Sequence, residues 1–210
     1  MYKLITEDDV KRIIKNGITE ILVDKGVIVT PSAYDLIRQG KIKIVHKTPE
    51  ANQIGSASVH IAIGSDHTGF KMKKILYDYL NKKGYTLTDV GTFSEEAVDY
   101  PDIALDVAKR VITGEAKFGI ILDATGIPSA ITANKLPGIR AATCYNEFSA
   151  KSSREHNDAN ILVVGAKALG EESIKSLTDV WLNSNFLGER HQKRLDKIKL
   201  IEEKYGNLNC

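Results

Sequence analysis

A chain of 210 residues with 42% apolar and 27% charged side chains is long enough for one full domain and an appendage, and its composition excludes a disordered or fibrous protein. With 29 basic against 27 acidic residues, a net charge of +2 and no basic cluster, it offers no electrostatic footprint for nucleic acid. No apolar run reaches the ~18 residues of a spanning helix, acids stand at the start where a secretion signal needs an apolar block, and Cys144 and Cys210 fit neither a disulfide framework nor a metal-ligand spacing. The expectation is a cytoplasmic protein with free thiols and no membrane or nucleic-acid partner.

Residues 1–46 read as a small α/β extension. Thr6 followed by Asp9 is a helix N-cap, Val10, Ile13 and Ile14 share one face, and Gly17 stops the helix. Ile21-Leu22-Val23 and Val27-Ile28-Val29 flank Lys25-Gly26 as a tight turn; Pro31-Ser32 then opens a helix that ends near Gly40, before the run Ile42 to Val45. Residues 47–58, poor in large apolar side chains, form a connector, and a larger domain covers 59–210.

From His60 onward, short β-branched runs alternate with helical patterns. The strands are His60 to Gly64, Tyr85 to Val90, Phe118 to Leu122, Ile139 to Ala142 and Ile161 to Val164. Helices are expected at Phe70 to Lys83, Pro101 to Gly114, Glu147 to His156, Glu171 to Leu182 and Arg190 to Tyr205, with no internal repeat. Five strands with helical crossovers predict an α/β fold: an open five-stranded parallel sheet covered by helices on both faces. Ligands of such sheets sit outside the carboxyl ends of the strands.

Those ends are polar. Ser65-Asp66-His67 follows the first strand, Asp123 to Ser129 the third, and Arg154 to Asp158 precedes the fifth. His67, His156 and His191 lie among Asp, Asn and Arg, which suits proton transfer, although any one of them also reads as an exposed or satisfied histidine. Arg190 and Arg194, four residues apart, fall on one face of the last helix. Two guanidinium forks there fit a phosphate dianion, and the same spacing fits a solvated basic face.

Five motifs, GSDHTGF (64–70), VDYPD (98–102), the 123–129 loop followed by ANK (133–135), SREHNDANIL (153–162) and GERHQKR (188–194), resemble the ribose-5-phosphate isomerase B and galactose-6-phosphate isomerase subunit family in order and spacing. The resemblance spans about two thirds of the chain and implies a Rossmann-like fold without cofactor or metal. It also implies a homodimer or homotetramer with shared sites, and interconversion of aldose and ketose phosphates through ring opening and a cis-enediolate. By position, it gives Asp66 to hydroxyl contact and ring opening, His67, Arg190 and Arg194 to the phosphate, Tyr100 to the sugar, and His156 to acid catalysis of ring opening, with Asn157 beside it. Lys167 stands where the family usually has arginine, so it too would face the phosphate, as a point charge without the fork, and Thr125, Ala124, Gly126, Ile127 and Pro128 form the substrate loop.

The chain departs from the family at the base. Asp123 replaces a cysteine, Ser129 aligns with the glutamate that other members use, and DATGIPS is similar to the A subunit of galactose-6-phosphate isomerase. In one reading Asp123 is the base, made more basic by partial burial. In the other the site is degenerate, since Ala124 and Pro128 replace glycines and Pro128 has no N–H for an oxyanion, which leaves a phosphosugar-binding subunit dependent on a partner. A nucleotide-binding fold is disfavoured because no Gly-x-Gly-x-x-Gly follows the first strand. The extension resembles segments of bacterial microcompartment enzymes, which implies recruitment to such a compartment or a partner enzyme; an accessory subdomain packed on its own dimer fits equally.

Overall fold

The computed structural model describes residues 4–23, 28–40, 42–46 and 59–206. The chain divides into two compact units, Met1–Gln53 and Ile54–Cys210. The connector expected at 47–58 and the turn at Lys25-Gly26 lie outside the described residues.

The first unit contains β1 (Leu4–Ile5), α1 (Glu7–Lys15), β2 (Glu20–Val23), β3 (Ile28–Val29), α2 (Pro31–Gln39) and β4 (Lys43–His46). Local chemistry starts both helices. The Thr6 side chain accepts from Asp9 N–H while the Asp9 carboxylate accepts from Thr6 N–H, and Thr30 accepts from Ala33 N–H, satisfying first-turn amides that have no partner inside the helix.

Pairing differs from expectation. β1 pairs with β3 and β2 with β4, both in parallel, so the runs on either side of Lys25-Gly26 do not pair with each other. The unit is two copies of strand, threonine cap, nine-residue helix and strand, laid strand against equivalent strand. This corrects the expectation of no internal repeat. The repeat is hard to see in the text because its partners are offset by 24 residues in one pair (Leu4 with Ile28) and by 23 in the other (Glu20 with Lys43). Ile5, Val10, Ala33, Ile37 and Ile42 form its core.

The second unit is the expected open parallel sheet. Its strands β5 (His60–Ser65), β6 (Thr86–Asp89), β7 (Phe118–Asp123), β8 (Ala141–Thr143) and β9 (Ile161–Gly165) lie in the order β6-β5-β7-β9-β8. Its helices are α3 (Phe70–Lys82), α4 (Tyr100–Ile112), α5 (Ile127–Ala133), α6 (Glu147–Asn157), α7 (Glu171–Asn183) and α8 (Gln192–Tyr205). Because alternate strand residues face opposite ways, β7 sends Ile120 and Leu122 to one core with Leu76, Leu80, Leu177 and Trp181, and Ile121 to the other with Val107, Ala108 and Ala133. Each fully buried Ile or Leu contributes about 1.5–3 kcal/mol. Trp181 anchors the first core, edge-on to Phe118 at 5.1 Å, with its Nε1–H donated to Ser153 Oγ at 3.0 Å.

Candidate active site

In a parallel sheet all carboxyl ends lie on one edge, and each connecting helix carries the chain back to the other. This sorts the candidate residues. Asp66 and His67 follow β5, Tyr100 opens α4, Asp123 ends β7, Ala124, Thr125, Gly126, Ile127 and Pro128 carry on into α5, and Lys167 follows β9. All ten belong to the carboxyl edge.

Two buried carboxylates shape this edge. Asp66 Oδ1 accepts from Thr68 N–H at 2.8 Å, Thr68 Oγ1 at 2.6 Å and Gly69 N–H at 3.0 Å, closing the turn into α3. His67 Nδ1 accepts from Val98 N–H at 3.4 Å, which leaves the ring proton on Nε2. Asp123 is 1% exposed. Its Oδ1 accepts from Thr125 N–H at 2.8 Å and from Gly126 N–H, and its Oδ2 accepts from Ser129 N–H at 3.1 Å.

Asp123 is therefore the anchor of the loop, fully rather than partly buried, with its charge met by three backbone donors. A carboxylate has about four lone-pair directions, so one on Oδ2 stays uncommitted. The same bonds revise the expected oxyanion donors. The amides of Thr125, Gly126 and Ser129 point at Asp123, that of Ile127 is given to Thr125 Oγ1 at 3.3 Å, and Pro128 in the first turn of α5 has none. Beside the loop, the exposed Thr125 hydroxyl is a side-chain group able to donate to a developing oxyanion.

Glycines make the loop fit. Gly126 has φ of +83°, and at Gly165 a Cβ would stand 2.6 Å from the Thr125 carbonyl oxygen, so the loop lies directly on the end of β9.

The second group lies elsewhere. His156 and Asn157 end α6, which leaves the carboxyl end of β8 and descends to the start of β9; they belong to the amino edge. His191 stacks on His156 with ring centroids 4.4 Å apart and 5° between planes, Leu187 N–H donates to Glu155 O at 3.0 Å, and Arg190 Nε donates to His191 Nε2 at 3.3 Å. Asp123 pairs with Gly165 and Gly119 with Ile161 across β7 and β9. Four residue steps at about 3.3 Å, roughly 13 Å of strand, thus separate the loop from the level where α6 ends. A single chain does not bring the two groups together.

Arg190 and Arg194 do not share a helix either. α8 begins at Gln192, after Gly188 and Glu189 with φ of +66° and +46°, so Arg190 lies in the turn before it while Arg194 lies in its first turn. Both are exposed.

Three features escaped the sequence reading. His191, expected in polar surroundings, is buried at 4% exposure, and burial together with the nearby His156, Arg190 and Arg194 holds its imidazole below the ordinary histidine value. Lys73 is 1% exposed on the apolar face of α3, its ammonium 2.5 Å from Asp89 Oδ1 and 2.8 Å from Thr92 O, which pins the loop after β6; a lysine three residues before the buried Leu76 was the available signal. Arg154 is structural, lying over the Phe118 and Trp181 rings and donating to Asp158 and Ala159 O. Cys144 does not stand in for the family's cysteine, since it is buried and burial pushes its thiol up.

A cleft of about 650 Å³ runs between α8 and the Pro137–Arg140 turn, and a second of about 460 Å³, which includes Asn157, lies between α8 and β8. Both adjoin the amino edge. Among the described residues no three His, Cys, Asp or Glu side chains converge as a metal site, and no helix is long and apolar enough to cross a membrane.

Acids, hydroxyls and an imidazole at the carboxyl edge of an open parallel sheet define an α/β enzyme acting on a small polar metabolite. A family profile described as Ribose/Galactose Isomerase matches residues 61–198, so the chain belongs to the ribose/galactose isomerase family and is an isomerase. It is 42% identical over 144 residues to ribose-5-phosphate isomerase B of Escherichia coli, covering 69% of this chain and 97% of that one. To D-erythrulose-4-phosphate isomerase of Pectobacterium atrosepticum it is 38% identical over 143 residues, 68% of this chain and 94% of the other. The solved structure of ribose-5-phosphate isomerase B from Clostridium thermocellum superposes with a TM-score of 0.70 at 48% identity, over 70% of this chain and 99% of that one. Relatives that carry isomerase names do not favour the alternative of a non-catalytic subunit.

Proposed function

We propose that the protein is a metal-independent aldose–ketose isomerase of a pentose or hexose phosphate, of the ribose 5-phosphate/ribulose 5-phosphate type, whose site is completed by two copies of the chain. The division of the candidate residues between opposite edges of one sheet is the observation that carries this reading. The carboxyl edge of one protomer faces the amino edge of its partner, in a homodimer or a higher assembly built from it, and the clefts beside α8 with its exposed Ile198 and Ile201 suit burial against the second copy. The relatives' names point to phosphorylated sugars of four and five carbons.

In this reading Arg190 and Arg194 grip the phosphate with planar forks, and the Nε2–H of His67 and the Lys167 ammonium reach it from the other protomer. Asn157 and Tyr100 contact the sugar. His156 delivers the proton that opens the ring, and Asp66 accepts the hydroxyl proton. Asp123 then takes the proton from C2 on the uncommitted lone pair of Oδ2 and returns it to C1, the O2 hydroxyl proton passes to O1, and the Thr125 hydroxyl donates to the enediolate oxygen in between. The N-terminal unit lies outside the region shared with the relatives and recruits the enzyme to a partner enzyme or a bacterial microcompartment; its removal leaves turnover unchanged.

Mixing two inactive variants tests the shared site. His156→Gln and Thr125→Val, each impaired alone, are unfolded together and refolded as mixed dimers. Complementation restores about a quarter of wild-type isomerisation of ribose 5-phosphate, since half of the dimers are mixed and each has one intact site. No recovery in mixed dimers refutes a site built from two chains.

A further inference from the structure

We propose that His191 is a positioning residue that joins the ring-opening histidine to the phosphate grip. The inference rests on the role proposed above for His156. One buried imidazole touches both: its ring lies flat on His156 at 4.4 Å between centroids, and its Nε2 accepts from Arg190 Nε at 3.3 Å. The second contact occupies the one guanidinium nitrogen that points back along the side chain. Both terminal nitrogens of Arg190, which have no partner among the described residues, are then left as a fork for two phosphate oxygens. The first contact fixes the plane of His156, whose Nδ1 lies 3.1 Å from Ser152 Oγ. His156 is thus held from its face by the 188–191 turn and from its edge by its own helix.

The charges around His191 favour this arrangement. His156 faces it from α6, Arg190 and Glu189 adjoin it in the turn, and Arg194 faces it from α8. Desolvation and the three positive or protonatable neighbours keep His191 neutral, and Glu189 opposes them weakly. A neutral ring has the Nε2 lone pair that Arg190 needs and puts no second positive charge against His156 when that ring carries the proton to be delivered. With Nε2 accepting from Arg190, the ring proton of the neutral imidazole sits on Nδ1, which has no partner among the described residues.

Two variants separate the two contacts in the full-length enzyme. His191→Phe keeps a flat ring against His156 and removes the acceptor for Arg190. His191→Gln keeps an acceptor and removes the stacked ring. Two substrates separate ring opening from the later step: ribose 5-phosphate is cyclic, whereas ribulose 5-phosphate, with its C5 hydroxyl esterified, cannot close a furanose. The Phe variant is expected to raise KM about tenfold, the loss expected for one hydrogen bond to a charged group, with kcat within about twofold. The Gln variant is expected to hold KM within about threefold and lower kcat from ribose 5-phosphate about tenfold, while deuterium exchange into ribulose 5-phosphate stays within about twofold. Parallel changes of kcat and KM in either variant, or no change, overturn the proposal. Each variant tests one contact by itself, so the misfolding of one leaves the other decisive. His156→Gln with wild-type kcat on ribose 5-phosphate would refute the ring-opening role instead, and the KM effect of His191→Phe would survive that result.

Discussion

Replacing Asp123 by asparagine changes one oxygen to an amide nitrogen at a site that is 1% exposed and surrounded by donors. If the remaining oxygen keeps the Oδ1 position, Thr125 and Gly126 retain an acceptor, now neutral, while the new NH₂ group confronts the N–H of Ser129. One charge-assisted bond is lost, two are weakened, and two buried donors are left without acceptors. At about 1–3 kcal/mol for each unsatisfied group, the cost is roughly 2–6 kcal/mol. For a chain of this size that lowers Tm by roughly 4–24 °C, readable by circular dichroism on the purified protein. The same sample, assayed by deuterium incorporation from solvent, is expected to lose at least about 10³-fold of its exchange at 25 °C, because the base and the loop fail together. A Tm within 1 °C of wild type refutes the anchoring role derived from the hydrogen bonds; a folded variant with full exchange refutes Asp123 as the base.

Gly165→Ala places a Cβ 2.6 Å from the Thr125 carbonyl oxygen, so the loop must shift; turnover is expected to fall at least about tenfold with the circular dichroism spectrum unchanged, and wild-type kinetics refute the close packing. Lys73→Met removes the ammonium that holds Asp89 and Thr92 O. Because Asp89 keeps access to water, the expected loss is about 1–3 kcal/mol rather than the full value for a buried pair, measured by urea unfolding. Stability also falls in acid because of His191, whose folded-state value is depressed: its contribution is fully present above the ordinary histidine value of about 6.5 and is lost as pH falls through the lower, folded value. The denaturant midpoint is therefore expected to be lower at pH 5 than at pH 7.5. His191→Phe should shrink that difference, and an unchanged difference counts against the assignment.

Much of this protein is local chemistry and could be read without coordinates. Thr6 and Asp9 cap α1 through atoms three residues apart, Gly17 and Gly84 end helices with φ of +68° and +86°, and the alternation of β-branched runs with helical spacing predicts the five-stranded sheet. The family motifs are legible for the same reason, each being a short run around one strand end. Wherever a partner lay far along the chain, the residues gave no means of choosing it. Ile21 to Val23 is as apt to pair with the run at 28–29 as with Lys43–His46, and only the assembled unit selects the latter.

The site follows the same division. Sequence by itself determined which residue types stand at each strand end, Asp123 after the third strand and Lys167 after the fifth among them. Tertiary structure decided that His156, Arg190 and Arg194 lie on the edge opposite the loop, that Asp123 is committed to three amides, and that His191 is buried between a histidine and an arginine. Periodicity and capping act over one or two turns of chain, whereas the edge a side chain occupies and the atoms it meets depend on strand order and on the direction of each crossover, which no short stretch of sequence contains.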